Sequence, residues 1–301
     1  MATVDPTKSA PALVQGDEVV AVAASSAIDN EEEIIQGLKV LESWGLICRP
    51  QTNYKRRWGY LAGNDQTRFS ELHAKNNAPL IIFARGGWGS ARLLELDQEK
   101  SWSIGWMLGF SDVTSLLLAR LTSGFGGCIH GPLLTTLYKE PDWSKERLKS
   151  ILFKEQVNDL HGDSWSYGLA IGPLVVANLT VASHLIGSRY FPDLRGAILV
   201  LEDIGEEPYR IDRMLTQWRL SGILQAIAGL GFGKFLNCEA PEEIPPQETF
   251  RLDEVLKERS SDLGIPVVGN LPIGHGCGNA AMPLGHKTLL NGTKGLLKLI
   301  T

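Results

Sequence analysis

The chain has 301 residues, 44% of them hydrophobic and 21% charged, with a net charge of -5. That composition is globular and long enough for two domains, and with no long Lys/Arg block it argues against nucleic acid as a partner. Four scattered cysteines, Cys48, Cys128, Cys238 and Cys277, make no CxxC pair, so a zinc knuckle or disulfide framework is disfavoured and reduced thiols in a cytoplasmic protein fit. No apolar run approaches the length of a membrane span, and the first residues lack the basic-then-apolar pattern of a signal peptide.

Residues 1–15 are small and polar and are expected to be a frayed arm. Val19–Ala24 reads as a buried strand ending at Ser25-Ser26. Asp29 or Asn30 can cap a helix over Glu31–Trp44, with Glu31–Glu33 at its positive end. Leu46–Arg49 reads as a second strand, Tyr54–Asn64 as a basic-aromatic loop and Asp65–Lys75 as a helix. Pro79–Ala84 is a strand that ends at Arg85-Gly86-Gly87-Trp88-Gly89-Ser90, after which Ala91–Leu96 begins another helix. The apolar run Ile104–Leu108 leads into Gly109-Phe110-Ser111-Asp112, and Val113, Leu117 and Leu121 then recur at helical spacing.

Continuous apolar strands alternating with helices predict a parallel sheet covered on both faces, with ligands beyond the carboxyl ends of its strands. Ser25-Ser26, Gly86-Gly87 and Ser111 all fall at such ends. A helix is predicted over Trp143–Val157. The polar stretch Asn158–Gly168 marks a linker, drawn as 158–172 between a first domain at 1–157 and a second, smaller α+β domain at 173–301. In that second part Leu174–Ala177, Ala197–Leu201 and Ile265–Val268 read as strands. Pro208 opens a helix with Ile211, Met214, Leu215 and Trp218 on one face, and Leu252–Arg259 is another.

A Ser between a strand and a helix, on a turn that needs small neighbours, is how a nucleophilic hydroxyl is presented; the competing reading of Ser111 is a helix N-cap. A hydroxyl nucleophile needs a base and an acid to orient it. Of the six histidines, His275 stands out because Gly274 and Gly276 flank it and Gly278 follows, against an ordinary Gly-rich turn. Glu202 and Asp203 end an apolar strand, where alternation lets only one face the site; a salt bridge to Arg210 or Arg213 is the alternative. Oxyanion donors are sought in the amide of Asp112 and the Gly86-Gly87 loop. A phosphate-loop reading of that loop fails for want of a GKS or GKT ending.

Four blocks, RGGWGSARLLELD (Arg85–Asp97), GFSDVTSLLLA (Gly109–Ala119), LEDIGEEPYRIDRML (Leu201–Leu215) and NLPIGHGCGNAAMPLG (Asn270–Gly285), resemble the signature blocks of the LD-carboxypeptidases, the murein tetrapeptide carboxypeptidases of bacteria. The resemblance runs from about Gly16 to the C-terminus. It implies a metal-free, cofactor-free serine peptidase with Ser111, His275 and Glu202 as its triad and with Gly87 and Asp112 as oxyanion donors. An α/β domain carries the Ser and a C-terminal domain the Glu and His, with the site in the cleft between them. The implied reaction removes the terminal D-Ala of a murein tetrapeptide in cytoplasmic cell-wall recycling, with the enzyme usually a homodimer. Arg85, Gly86 and Trp88 are the candidates for substrate contact, Arg85 or the Tyr54–Arg57 loop for a terminal carboxylate. Two departures from the family pattern are Val176-Ala177 ahead of Asn178, where glycines are usual, and Trp88, where Tyr is common. A related peptidase acting on a peptide-nucleotide antibiotic, as the microcin C self-immunity proteins do, and a catalytically silent peptide-binding protein on the same fold are the alternatives.

Overall fold

The computed structural model describes residue 4 and residues 6–49, 54–74, 77–96 and 102–300. Lys75 and Asp97, the expected ends of the second helix and of the first signature block, lie outside the described residues.

The first half alternates strand and helix. It comprises β1 (Glu18–Val22), α1 (Glu31–Ser43), β2 (Ile47–Arg49), α2 (Asp65–Ala74), β3 (Leu80–Phe83), β4 (Trp106–Gly109), α3 (Thr114–Thr122), β5 (Cys128–His130), α4 (Leu134–Leu137) and α5 (Asp142–Leu152). Asn30 is the residue that caps α1, its side chain accepting from the Glu32 amide at 3.0 Å. The five strands are parallel in the order β2-β1-β3-β4-β5. Alternation within β1 splits its side chains between two cores: Val19 and Ala21 pack with Ile34, Leu38 and Leu41 of α1, while Val20 and Val22 pack with Phe69 of α2 and Leu116 of α3.

The second half builds a mixed sheet of eight strands: β6 (Leu160–His161), β7 (Asp163–Ser166), β8 (Leu169–Asn178), β9 (Ile198–Ile204), β10 (Gly229–Leu236), β11 (Val267–Gly269), β13 (Lys287–Asn291) and β14 (Leu296–Leu299). Its helices are α6 (Leu179–Leu185), α7 (Pro208–Leu220), α8 (Ile223–Ala226) and α9 (Leu252–Ser260). The ten residues of β8 serve two partners, antiparallel to β13 at one end and parallel to β9 at the other. The remaining strand, β12 (Met282–Pro283), returns to the first sheet and pairs antiparallel with β5, so the C-terminal part of the chain is sewn into the N-terminal sheet. One apolar core runs from Val20, Phe83 and Leu116 through Leu179 to Val200 and Phe232 without interruption.

Three expectations need correction. The described part of the stretch 1–15 is packed rather than frayed: Val4, Ala10 and Leu13 are buried, Leu13 N–H donates to Leu152 O at 2.9 Å, and Gly126 N–H donates to Lys8 O at 2.7 Å. The helix expected to reach Val157 stops at Leu152. Lys154 takes a left-handed φ of 56°, and the pair Glu155 N–H to Ser150 O with Lys154 N–H to Ile151 O closes its end. The stretch 158–172, read above as linker, carries β6, β7 and the start of β8. There Trp165 packs on Phe232 and over Gly269, where a side chain would collide with its indole.

Candidate active site

The three turns at the carboxyl ends of β1, β3 and β4 meet. Trp88 N–H donates to Ser26 Oγ at 3.0 Å, Ser26 N–H donates to Gly86 O at 3.3 Å, and a Cβ on Gly86 would stand 3.1 Å from Ser111 Oγ. Gly87 has a φ of 102°, and a side chain there would collide with Ser26 Oγ. Glycine therefore lets the backbone come up against Ser111 at position 86 and against Ser26 at position 87.

Ser111 itself has a φ of 63°, left-handed and unfavourable for a residue with a Cβ by roughly 1–2 kcal/mol. It opens a turn of 3₁₀ helix, Ser111–Val113, that runs straight into α3. Gly109 makes room for this sharp bend, since a Cβ there would lie 2.9 Å from Val113 Cγ1. Asp112, next along, is fully buried. Its carboxylate accepts from Ser90 N–H at 2.8 Å and its carbonyl from Ser90 Oγ at 2.6 Å, so the Ser111 turn is fastened to the end of the Gly86–Gly89 loop.

His275 comes from the second half of the chain. Its Nε2 lies 3.2 Å from Ser111 Oγ and its Nδ1 2.6 Å from Glu202 Oε2. With Nδ1 facing a carboxylate, the ring proton belongs there, and Nε2 is left to accept from the Ser111 hydroxyl. Glu202 is fully buried at the end of β9, and the same Oε2 also accepts the backbone N–H of His275 at 3.2 Å. Among the described residues its other oxygen has no hydrogen-bond partner in the protein, so the carboxylate is directed at His275. Gly274, at φ 106°, is required here, because a Cβ would stand 2.6 Å from Glu202 Oε2. The Phe110 ring packs on the imidazole at 4.7 Å between centroids.

Glu202 and Asp203 point to opposite faces of β9. Asp203 points away from His275 and accepts from Thr180 N–H (2.8 Å), Thr180 Oγ1 (2.7 Å), Asn178 Nδ2 (3.0 Å) and Ile204 N–H (2.8 Å). Burial raises its pKa in spite of these bonds. Asn178 accepts the Val181 amide and caps α6 in this same network. Arg210 pairs with Glu206 and Glu207 instead of either acid.

Arg85 reaches Ala27 O at 2.7 Å and Asp29 at 3.0 Å; Arg57 meets the same carboxylate at 2.5 Å. Arg57 first and Arg85 second hold the Asp29 carboxyl below its ordinary range. The two candidates for a terminal carboxylate thus converge on one exposed aspartate. Trp88 is exposed and meets His184 edge-on at 6.1 Å. The four cysteines are free thiols, and no group of three or more His, Cys, Asp or Glu among the described residues could hold a metal ion.

Two further residues close in around the site: His130, whose place between Ile129 and Gly131 points in the sequence to a structural hydrogen bond, and Arg68, which has no sequence signal. His130 is fully buried under Phe110, with ring centroids 5.6 Å apart, and among the described residues neither of its nitrogens has a hydrogen-bond partner, so the expected structural hydrogen bond is not made. Burial, and after it the nearby His275, pull its pKa down to about 3. Arg68, also fully buried, donates to Gly89 O at 2.8 Å and braces the glycine loop.

Comparison with known proteins bears on the whole chain. The LD-carboxypeptidase N-terminal domain matches residues 19–131 and the LD-carboxypeptidase C-terminal domain residues 171–290. A Synechocystis protein named "Putative carboxypeptidase" is 45% identical over 297 residues, 96% of each chain. The murein tetrapeptide carboxypeptidase of Pseudomonas aeruginosa is 29% identical over 92% of this chain and 94% of its own. The solved muramoyltetrapeptide carboxypeptidase of Oxalobacter formigenes superposes with a TM-score of 0.80 at 25% identity, covering 93% of this chain and 97% of that one. The microcin C7 self-immunity protein MccF shares the fold, with a TM-score of 0.84 at 19% identity over 98% and 99% of the two chains.

Proposed function

The chain belongs to the LD-carboxypeptidase family, and from that premise we propose that it is a serine carboxypeptidase that releases the terminal D-Ala from murein tetrapeptide. The observation that carries the reading is the unbroken line from Ser111 Oγ through the His275 imidazole to the buried Glu202 carboxylate, at 3.2 and 2.6 Å. His275 takes the Ser111 proton as the hydroxyl oxygen attacks the scissile carbonyl. Glu202 holds the ring and stabilises its cation. The oxyanion rests on the amides of Gly87 and Asp112, each worth about 2.7–4 kcal/mol of transition-state stabilisation. His275 then protonates the departing D-Ala amine, and water attacking the acyl-enzyme regenerates Ser111.

Substrate lies in a cleft between the two domains, with Gly86 and Trp88 against it and the terminal carboxylate taken by Arg85. The setting is cytoplasmic cell-wall recycling and the assembly a homodimer, both carried over from the resemblance to the family. The peptide-nucleotide reading is not favoured, because the likeness to MccF is one of fold alone.

The test is mass-spectrometric detection of free D-Ala from murein tetrapeptide, with and without a chelator. Release that survives the chelator is expected; a tetrapeptide left intact overturns the substrate assignment. In the same assay Arg85→Ala is expected to raise KM and leave kcat nearly unchanged.

A further inference from the structure

Glu140 is a buried carboxylate that the reaction above does not use. It lies between α4 and α5, on the side of the molecule that carries Ser111, and is only 7% exposed. One of its oxygens, Oε2, accepts two backbone amides from the other half of the chain, Gly278 N–H at 3.1 Å and Asn279 N–H at 2.9 Å. Asn279 in turn accepts the Gly274 amide on its Oδ1 at 2.8 Å, so the residue before His275 and the residues after it are closed into one small ring of bonds.

The same turn is held at further points. Ser144 Oγ donates to Asn279 O at 2.9 Å and Arg147 Nε to Ala281 O at 2.9 Å, both from α5. Trp143 covers Gly278, where a Cβ would stand 2.5 Å from its ring. From the second sheet, Lys234 donates to the carbonyls of Cys277 and Gly278. Within its own domain Glu202 holds the imidazole at Nδ1. The contacts from Glu140 and α5 join the loop of that histidine to the half of the chain that carries Ser111.

We propose that Glu140 is a positioning residue that holds the His275 loop in register with Ser111 across the boundary between the two sheets. The inference rests on reading Ser111 as the nucleophile. Because a single oxygen accepts both amides, Glu140→Gln can keep both bonds, whereas Glu140→Ala removes both. Misplacing a base by about 1 Å can cost on the order of 10²-fold.

The experiment compares Glu140→Ala, Glu140→Gln and wild type in two assays: kcat and KM on murein tetrapeptide, and the rate at which a fluorophosphonate labels Ser111. Glu140→Ala is expected to lose about 10- to 100-fold in kcat with KM within about twofold, and to be labelled more slowly in parallel. Glu140→Gln is expected to restore most of both. Labelling of Glu140→Ala at the wild-type rate, a change confined to KM, or a Gln variant as impaired as Ala would overturn the proposal. If Glu140→Ala does not fold, Glu140→Asp, one methylene too short to span to both amides, takes its place: a folded Asp variant with wild-type kcat overturns the proposal and a kcat-only loss supports it. A wild-type protein that takes no label at Ser111 would instead refute the nucleophile assignment.

Discussion

The serine and the histidine of the candidate site are supported differently. Ser111 stands on contiguous chain, from β4 through Gly109 and the 3₁₀ turn to α3, and the contacts that fasten this turn, from Ser90 and the Gly86 loop, come from the same half of the chain. His275 lies in a loop with three left-handed glycines and is held by Glu202, Lys234, Glu140 and Ser144, drawn from distant parts of the chain. The nucleophile is built within one half of the chain, whereas its base is held from both halves, so the two should fail in different ways.

Removing the base should give the largest effect. His275→Ala is expected to lower kcat by at least about 10³-fold in the D-Ala release assay. The two neighbouring acids come next. Glu202→Gln should cost about 10²–10⁴-fold in kcat, since an amide cannot stabilise the imidazolium. Asp203→Asn should keep kcat within about threefold but lose about 2 kcal/mol of stability in urea titrations, through its four accepted hydrogen bonds. The reverse result would mean that the acid has been misassigned.

This pair also shows what could be read from the sequence and what could not. Period-two alternation at the end of a buried strand already said that only one of Glu202 and Asp203 could face the site, and the glycines around His275 already signalled a constrained backbone. The three turns at the ends of β1, β3 and β4 were legible because apolar runs stop there at small residues. Glu140 was not, because Lys139-Glu140-Pro141 resembles any polar loop until the fold brings Gly278 to it. The strands β6 and β7 carry no sequence signal because one is two residues long and the other polar; they form against distant partners, β6 on β14 and β7 on β11, where Trp165 meets Phe232 and Gly269. The return of β12 to the first sheet has no local signature either, since two residues carry no periodicity.

Gly274→Ala separates strain from collision. Left-handed φ alone should cost about 1–2 kcal/mol, as Gly205→Ala should, where φ is 72° and nothing lies within 4 Å of the added Cβ. Only Gly274→Ala should also lose kcat, by about tenfold or more, because its Cβ meets Glu202. Equal kcat in the two variants would show that the loop tolerates the displacement.

The last effect concerns acid stability and leaves the reaction aside. The folded pKa of His130 is depressed from 6.5 to about 3, so the neutral ring is favoured in the native state. The stability this neutrality permits is fully present above pH 6.5 and is lost as pH falls toward 3, at up to about 1.4 kcal/mol per pH unit. His130→Phe should therefore match wild type at pH 7 and show a smaller fall in its urea midpoint between pH 7 and pH 4. An equal fall in both proteins would place the acid sensitivity elsewhere.

The most direct measurement is release of free D-Ala from murein tetrapeptide by wild type and Ser111→Ala, followed by mass spectrometry. Wild type should release D-Ala, and Ser111→Ala, folded and with His275 and Glu202 in place, should be slower by at least about 10³-fold. D-Ala release by Ser111→Ala at the wild-type rate would contradict the assignment of Ser111 as the nucleophile.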